Sequence, residues 1–245
     1  CRTMKQKTSI IASALLLFGN LMFAAPGGAK VGKPLPQWKA GYLDIHAINS
    51  GRGECTLVIM PDGTTMMIDS GEYCDKQKDY VKRKPSKEVR PYKVYVDYAR
   101  HFLPAVCCDS LDYFLLTHYH MDHIGHNEKA FSTDPDGGYK LTGVTAVYSE
   151  LPFRHLVDRS YPDYSEAINA PGTDDDFDFY KDFVKYSTEN RGLVAEKFEL
   201  GSTSQFGAKY DTTYNCIVSN LAANGAVWTG EKAIQTEKCR ENGLS

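Results

Sequence analysis

The sequence carries no strong charge of either sign: 28 Lys and Arg against 31 Asp and Glu leave a formal net charge of -3 over 245 residues. Such a chain has no overall attraction to polyanions, so any nucleic-acid contact would depend on a local basic patch. It lacks a CxxC pair and any Cys/His zinc-finger spacing, which excludes a small structural zinc module. It has no internal repeat and no low-complexity tract, which excludes a solenoid. No apolar run reaches the roughly 20 residues needed to cross a bilayer. The longest, Ile10 to Phe23, is interrupted by Gly19 and Asn20. What remains is ordinary globular composition, 42% hydrophobic and 24% charged, enough to bury one substantial core.

The apolar run follows Met4-Lys5-Gln6-Lys7 and leads into Ala24, Ala25, Gly27 and Gly28, the pattern of a secretory signal peptide. Residues 1–25 are therefore expected to be removed, with Cys1-Arg2-Thr3 as extra residues before a plausible initiator, Met4. Residues 26–40, rich in Gly, Pro and Lys, read as a linker, and 41–245 as the folded domain. The expected location is secreted or periplasmic, with no stable membrane span after cleavage. Cys55, Cys74, Cys107, Cys108, Cys216 and Cys239 then lie where disulfides can persist, but their pairing is not legible and buried, inert thiols are the simpler expectation.

Tyr42 to Ile48 alternates as a half-buried strand does, Cys55 to Met60 forms a second run of β-formers, and Thr65 to Ile68 a third beyond the turn Pro61-Asp62-Gly63-Thr64. Asp75 to Lys93, rich in Lys and Arg and broken by Pro85 and Pro91, is expected to be a surface insertion. Val94 to Leu103 has helical spacing and stops at Pro104. Leu111 to Leu116 is short and strongly apolar, as a central strand buried on both faces would be. Further strands are expected at Gly143–Tyr148, Val194–Leu200 and Cys216–Ala222, and a helix at Asp176–Asn190 before Gly192. A meander followed by alternating strands and helices implies a layered α/β architecture.

The segment that carries chemistry is Thr117-His118-Tyr119-His120-Met121-Asp122-His123-Ile124-Gly125, with four potential metal ligands inside six residues at the end of a buried strand. In extended backbone, side chains two apart point the same way, so His118 and His120 can converge on one ion. Asp122 and His123 follow where the chain turns and can face a second. A polar loop that merely happens to hold three histidines is the competing reading. Asp69, in Asp69-Ser70-Gly71 after the third strand, is either an ordinary turn aspartate or a partner that orients these ligands. His46 and His101 fall within strand and helix patterns and read as packing residues. His126 reads as a cap on the loop, and His155, after Pro152-Phe153-Arg154, as a surface or core histidine.

The H-x-H-x-D-H pattern after a hydrophobic strand and a Thr resembles the signature of the metallo-β-lactamase superfamily. The resemblance extends upstream to Gly53-Glu54-Cys55-Thr56-Leu57-Val58-Ile59, Pro61-Asp62-Gly63 and Met67-Ile68-Asp69-Ser70-Gly71. More narrowly, the pattern is similar to the branch of DNA-internalisation competence proteins (ComEC/Rec2-like), and the resemblance covers Gly41 to Gly125 well and the remainder loosely. The resemblance implies an αββα sandwich and an exported, metal-dependent hydrolase holding one or two zinc ions, with Mn2+ or Fe as alternatives. His118 and His120 would belong to the first site and Asp122 and His123 to the second. Asp69 would stand in the outer shell, and Asp122 would also orient or deprotonate the attacking water.

The family adds later ligands, and beyond His126 this chain offers only His155. Glu241-Asn242-Gly243-Leu244-Ser245 resembles the family segment just before the strand with the bridging aspartate. The C-terminal half of the sandwich is therefore expected to be incomplete, the remaining ligands to lie beyond Ser245, and this portion alone to have little activity. Phosphodiesters or other phosphoesters are the expected substrates, and a lactone, thioester or β-lactam the alternative. A non-catalytic binding module is a further alternative, disfavoured by the intact motif. Di-iron chemistry is disfavoured because its pattern has Glu where His120 stands. The stretch Lys82-Arg83-Lys84 with Lys87, Arg90 and Lys93 offers a route to phosphates or nucleic acid, though a solvated insertion is the simpler reading. Asp174-Asp175-Asp176 reads as the solvated start of a helix rather than a calcium site.

Overall fold

The computed structural model describes residues 31–73, 81–127, 133–165 and 174–236. The expected signal peptide, Cys74, Cys239 and residues 241–245 lie outside the described residues. Residues 31–37 belong to a first unit and carry no regular element. The second unit opens at Trp38.

The second unit begins with the strands β1 (Asp44–Ala47), β2 (Thr56–Ile59) and β3 (Thr65–Ile68), paired antiparallel in that order. The turn between β2 and β3 closes on Asp62, whose carboxylate accepts from Thr64 N at 3.0 Å and Thr64 Oγ1 at 2.7 Å. Helix α1 (Pro91–Phe102) then buries Tyr95, Val96, Ala99 and Phe102 along one stripe. Pro91 occupies its first turn, where a missing N–H costs nothing, so the residue expected to break the chain starts the helix instead. Next come β4 (Leu111–Leu115), the short helix α2 (Met121–Ile124), α3 (Gly143–Glu150), β5 (Phe153–Asp158), α4 (Asp174–Asn190) and β6 (Val194–Lys197). A small antiparallel sheet of β7 (Ala222–Ala223), β8 (Ala226–Trp228) and β9 (Ala233–Gln235) follows.

The main sheet has the order β1-β2-β3-β4-β5-β6 and is parallel from β3 to β6, because helices carry the chain back between these strands. This is a mixed α/β fold. β4 lies between β3 and β5 and is buried along nearly its whole length, its one acid, Asp112, accepting from Thr65 N at 2.9 Å. The helices cover one face. Leu57, Ile59, Met67, Phe114, Leu116 and Leu156 pack there against Tyr95, Phe102, Val144, Val147, Tyr180 and Phe183. On the other face one cross-strand row runs Ile45, Val58, Met66, Tyr113, His155, Val194. Phe206 seals its centre, meeting the Tyr113 ring edge-on at 5.5 Å, while Ile45 and Val194 at its ends are 67% and 44% exposed.

Several elements differ from the sequence reading. Gly143–Tyr148 is not a strand but most of α3, capped by the reciprocal bonds of Thr142 and Thr145. It is buried all round and shows no polar face, so its apolar run has the pattern of a buried strand. Cys216 to Leu221 carries no regular element, and only Ala222–Ala223 enters a sheet. β5 is an addition to the expected strands, because Arg154 and His155 interrupt its apolar character. The basic insertion is not wholly solvated: Arg83 and Arg90 turn inward onto the buried carboxylate of Glu72, each at 2.8 Å. Nor is the acidic run, since Asp176 is buried and accepts from Asn127 N at 2.7 Å. Among the described cysteines, Cys55, Cys107, Cys108 and Cys216 are free thiols, and burial pushes the first two up in pKa.

Candidate metal centre

The carboxyl ends of β3 and β4 lie side by side, with Ile68 opposite Leu115, so Asp69 and Thr117 leave the sheet together. Crevices at such strand ends are the usual ligand sites of open parallel sheets. Asp69 takes a left-handed backbone with φ 59° and turns its carboxylate onto the next loop. Its Oδ1 accepts from Thr117 N at 2.8 Å. Its Oδ2 accepts from Thr117 Oγ1 at 2.8 Å and meets His123 Nδ1 at 2.7 Å. Of the two roles open to Asp69, turn residue and orienting partner, its geometry combines both.

Beyond Thr117 the side chains alternate. Tyr119 is buried and stacks on Phe177 with ring centroids 4.5 Å apart, which leaves His118 and His120 to point together the other way. His118 Nε2 lies 3.2 Å from His120 Nδ1, and the His118 and His123 rings are 3.8 Å apart. One ligand atom from each of His118, Asp122 and His123 falls within 4.8 Å of the others, a group able to hold a metal ion. His118 belongs to this triad and also touches His120, so the four side chains form one contiguous cluster. His120 Nε2 is buried and has no hydrogen-bond partner among the described residues.

The backbone around this group is tightly joined. Glu54 N donates to Asp122 O at 2.8 Å, Ser70 N to His123 O at 2.9 Å and Glu72 N to Met121 O at 2.7 Å. The approach is so close that a Cβ on Gly71 would sit 1.5 Å from Asp122 O, so no other residue fits there. At the far end, His126 Nδ1 meets Asp176 Oδ2 at 2.7 Å, which ties the loop to the first turn of α4. His126 thus anchors the loop, as a cap would. Arg90 donates to His126 O at 2.9 Å and to Glu72 Oε2 at 2.9 Å, bracing the loop from the other side.

The electrostatics suit ligation. Burial, then the nearby His123 and His120, lower the pKa of His118 to about 4, so it is neutral with a free lone pair at pH 7. Burial works against charge on Asp122, but hydrogen bonds from His123 and Tyr73 outweigh it and bring its pKa down to about 2. His123 is also penalised by burial, yet its bonds to Asp122 and Asp69 raise its pKa to about 9. Without a metal it is therefore a cation held between two carboxylates, with Nε2 3.4 Å from Asp122 Oδ2.

The remaining histidines lie elsewhere. His46 meets Tyr98 Oη at 2.9 Å against α1. His101 packs on Phe102, and His155 sits mid-strand beside Tyr113. Glu72, Tyr73, Arg83 and Arg90, which shape the site, carry no motif that marks them in the sequence. The nearest signal is their closeness to Asp69-Ser70-Gly71 and to the basic stretch. Comparison with protein-family models, curated proteins and solved structures returned no match, so the reading of this centre rests on its own geometry.

Proposed function

We propose that the chain is an exported metal-dependent hydrolase of the metallo-β-lactamase type, with zinc as its ion and phosphoesters as its substrates. The observation that carries the reading is the convergence of His118, Asp122 and His123 at a parallel strand end, with Asp69 holding His123 from behind. Support for an αββα arrangement comes from the apolar row on the sheet face away from the helices. Support for export comes from the pattern between Met4 and Gly28.

Zinc fits the donor set. Two imidazole nitrogens bound about 2.0–2.1 Å from one tetrahedral ion are roughly 3.3 Å apart. His118 Nε2 and His120 Nδ1 stand 3.2 Å apart. The His120 ring, whose buried Nε2 has no partner among the described residues, would be fixed by ligation through Nδ1. His118, His120, Asp122 and His123 would hold the ion. When bound, zinc supplies Lewis acidity, which polarises a phosphoryl oxygen and brings the pKa of water to about 7.

The chain's own residues contribute in distinct ways. Asp69 fixes the His123 ring so that Nε2 faces Asp122. The Asp122 carboxylate, ionised down to about pH 2, can orient an attacking water by accepting a hydrogen bond from it. Exposed Lys82 and Lys84, on the segment that Arg90 ties to His126 O, would add positive charge suited to phosphoesters.

Elemental analysis of the purified protein beside a His118→Ala/His120→Ala variant tests the proposal, followed by assays on bis-p-nitrophenyl phosphate and a chromogenic β-lactam. Zinc near one or two equivalents, lost in the variant, with turnover of the phosphodiester, is expected. A folded full-length protein that takes up no transition metal would sink it. Turnover of the β-lactam alone would move the substrate from phosphorus to carbon.

A further inference from the structure

A cleft of about 260 Å3 opens beside the metal loop, lined by Leu116, Thr117, Arg159, Phe198 and Asn224. Leu115 pairs with Val157, and continuing that register by two residues sets Arg159 opposite Thr117, the residue before His118. The cleft and the candidate metal centre are therefore neighbours at the same end of the sheet. Apart from Arg159 its lining is uncharged and largely apolar.

Arg159 differs from arginines that hold ion pairs elsewhere in the fold. Arg83 and Arg90 are paired with Glu72, and Arg191 with Asp134. The guanidinium of Arg159 enters no ion pair or hydrogen bond with a described residue, and its Nε is buried without a partner. Asn224 donates to Arg159 O at 3.2 Å, which holds the backbone at the cleft wall. The side chain as a whole is only half-buried, with Nε alone sealed, so its terminal nitrogens stand at the cleft with no described carboxylate opposite them and an anion can take that place. One cation in an apolar cleft matches a ligand with one negative charge and apolar substituents.

We propose that Arg159 is the anion-recognising residue of this site, and that the cleft takes a phosphodiester monoanion bearing an aromatic or otherwise apolar group. The proposal rests on the hydrolase reading for the neighbouring chemistry, but the anion site can be measured apart from it. The Arg159 fork binds the non-bridging phosphoryl oxygens, Phe198 and Leu116 cover the apolar substituent, and the ester phosphorus is presented toward His118 and Asp122.

The test is calorimetric titration with diphenyl phosphate, on metal-loaded and on chelator-treated protein, for the wild type, Arg159→Gln and Arg159→Lys. Binding to both wild-type forms is expected, weakened at least about tenfold in Arg159→Gln and partly kept in Arg159→Lys, with metal content equal in all three. Equal affinity in Arg159→Gln and wild type, or no binding by the wild type, overturns the proposal. Tighter binding of phenylacetate than of diphenyl phosphate overturns the phosphodiester assignment. If Arg159→Gln does not fold, Arg159→Lys, which keeps the charge but loses the fork, decides: unchanged affinity overturns the bidentate role. Arginine-dependent binding without any hydrolysis would retain the anion site while removing the hydrolase reading.

Discussion

Replacing Asp69 by asparagine keeps the side chain's shape and changes one acceptor into a donor. In the native arrangement both carboxylate oxygens accept, from Thr117 N, from Thr117 Oγ1 and from His123 Nδ1 at 2.7 Å. With the amide oxygen toward Thr117 N, the new NH2 faces His123. The imidazole must then offer a lone pair at Nδ1 and carry its proton on Nε2, the nitrogen that faces Asp122. With the amide reversed, two N–H groups oppose each other at Thr117, which costs about 1–3 kcal/mol for an unmade buried bond. Loss of such an outer partner weakens metal binding about 10–100-fold, or about 1.4–2.7 kcal/mol. Competition with a chromophoric chelator gives the zinc affinity, and long-range 15N–1H imidazole correlations give the His123 tautomer. An Asp69→Asn protein that folds, keeps the native tautomer and binds zinc within about twofold of wild type would refute this role for Asp69.

The same geometry sets further outcomes. His123 must shed its proton to ligate, so zinc affinity should rise by about one hundredfold from pH 6.5 to 8.5 if one proton is displaced; a flat profile would contradict this. In the metal-free protein the raised pKa of His123 contributes stability that is full below about pH 6.5 and lost as pH rises through about 9, measurable by denaturant titration across that window. Gly71→Ala places a methyl 1.5 Å from Asp122 O and should cost about 3 kcal/mol or more, together with metal binding; a thermal midpoint at the wild-type value would show that glycine is not required there. Glu72→Ala leaves Arg83 and Arg90 facing a buried void and should destabilise by about 3–5 kcal/mol, read from the same titration.

The elements legible in the sequence are those whose pattern has one interpretation. β2, β3 and β4 are short β-rich runs bounded by turns, and α1 and α4 bury one stripe each. α3 reads as a strand because a helix buried on every side has no period to show. β5 escapes notice because its exposed Arg154 and half-buried His155 break the run, and Cys216 to Leu221 shows that β-formers without a partner strand make no sheet. Glu72 and Arg159 are illegible as site residues, since a single charge after a Gly or at a strand end has no distinguishing local context.

The sequence by itself determined that His118, His120, Asp122 and His123 lie close together: alternation in extended backbone followed by one turn of helix needs only local geometry. Tertiary structure alone decided what surrounds them. Asp69 reaches His123 across 54 residues because β3 and β4 pair in parallel. Gly71 is required because two loops meet there within van der Waals distance. Arg159 comes beside Thr117 because β5 is the next strand. The close spacing of the three histidines and Asp122 is a property of neighbours in the chain, whereas the residues that brace them and the arginine beside them come from strand order, which sheet packing sets.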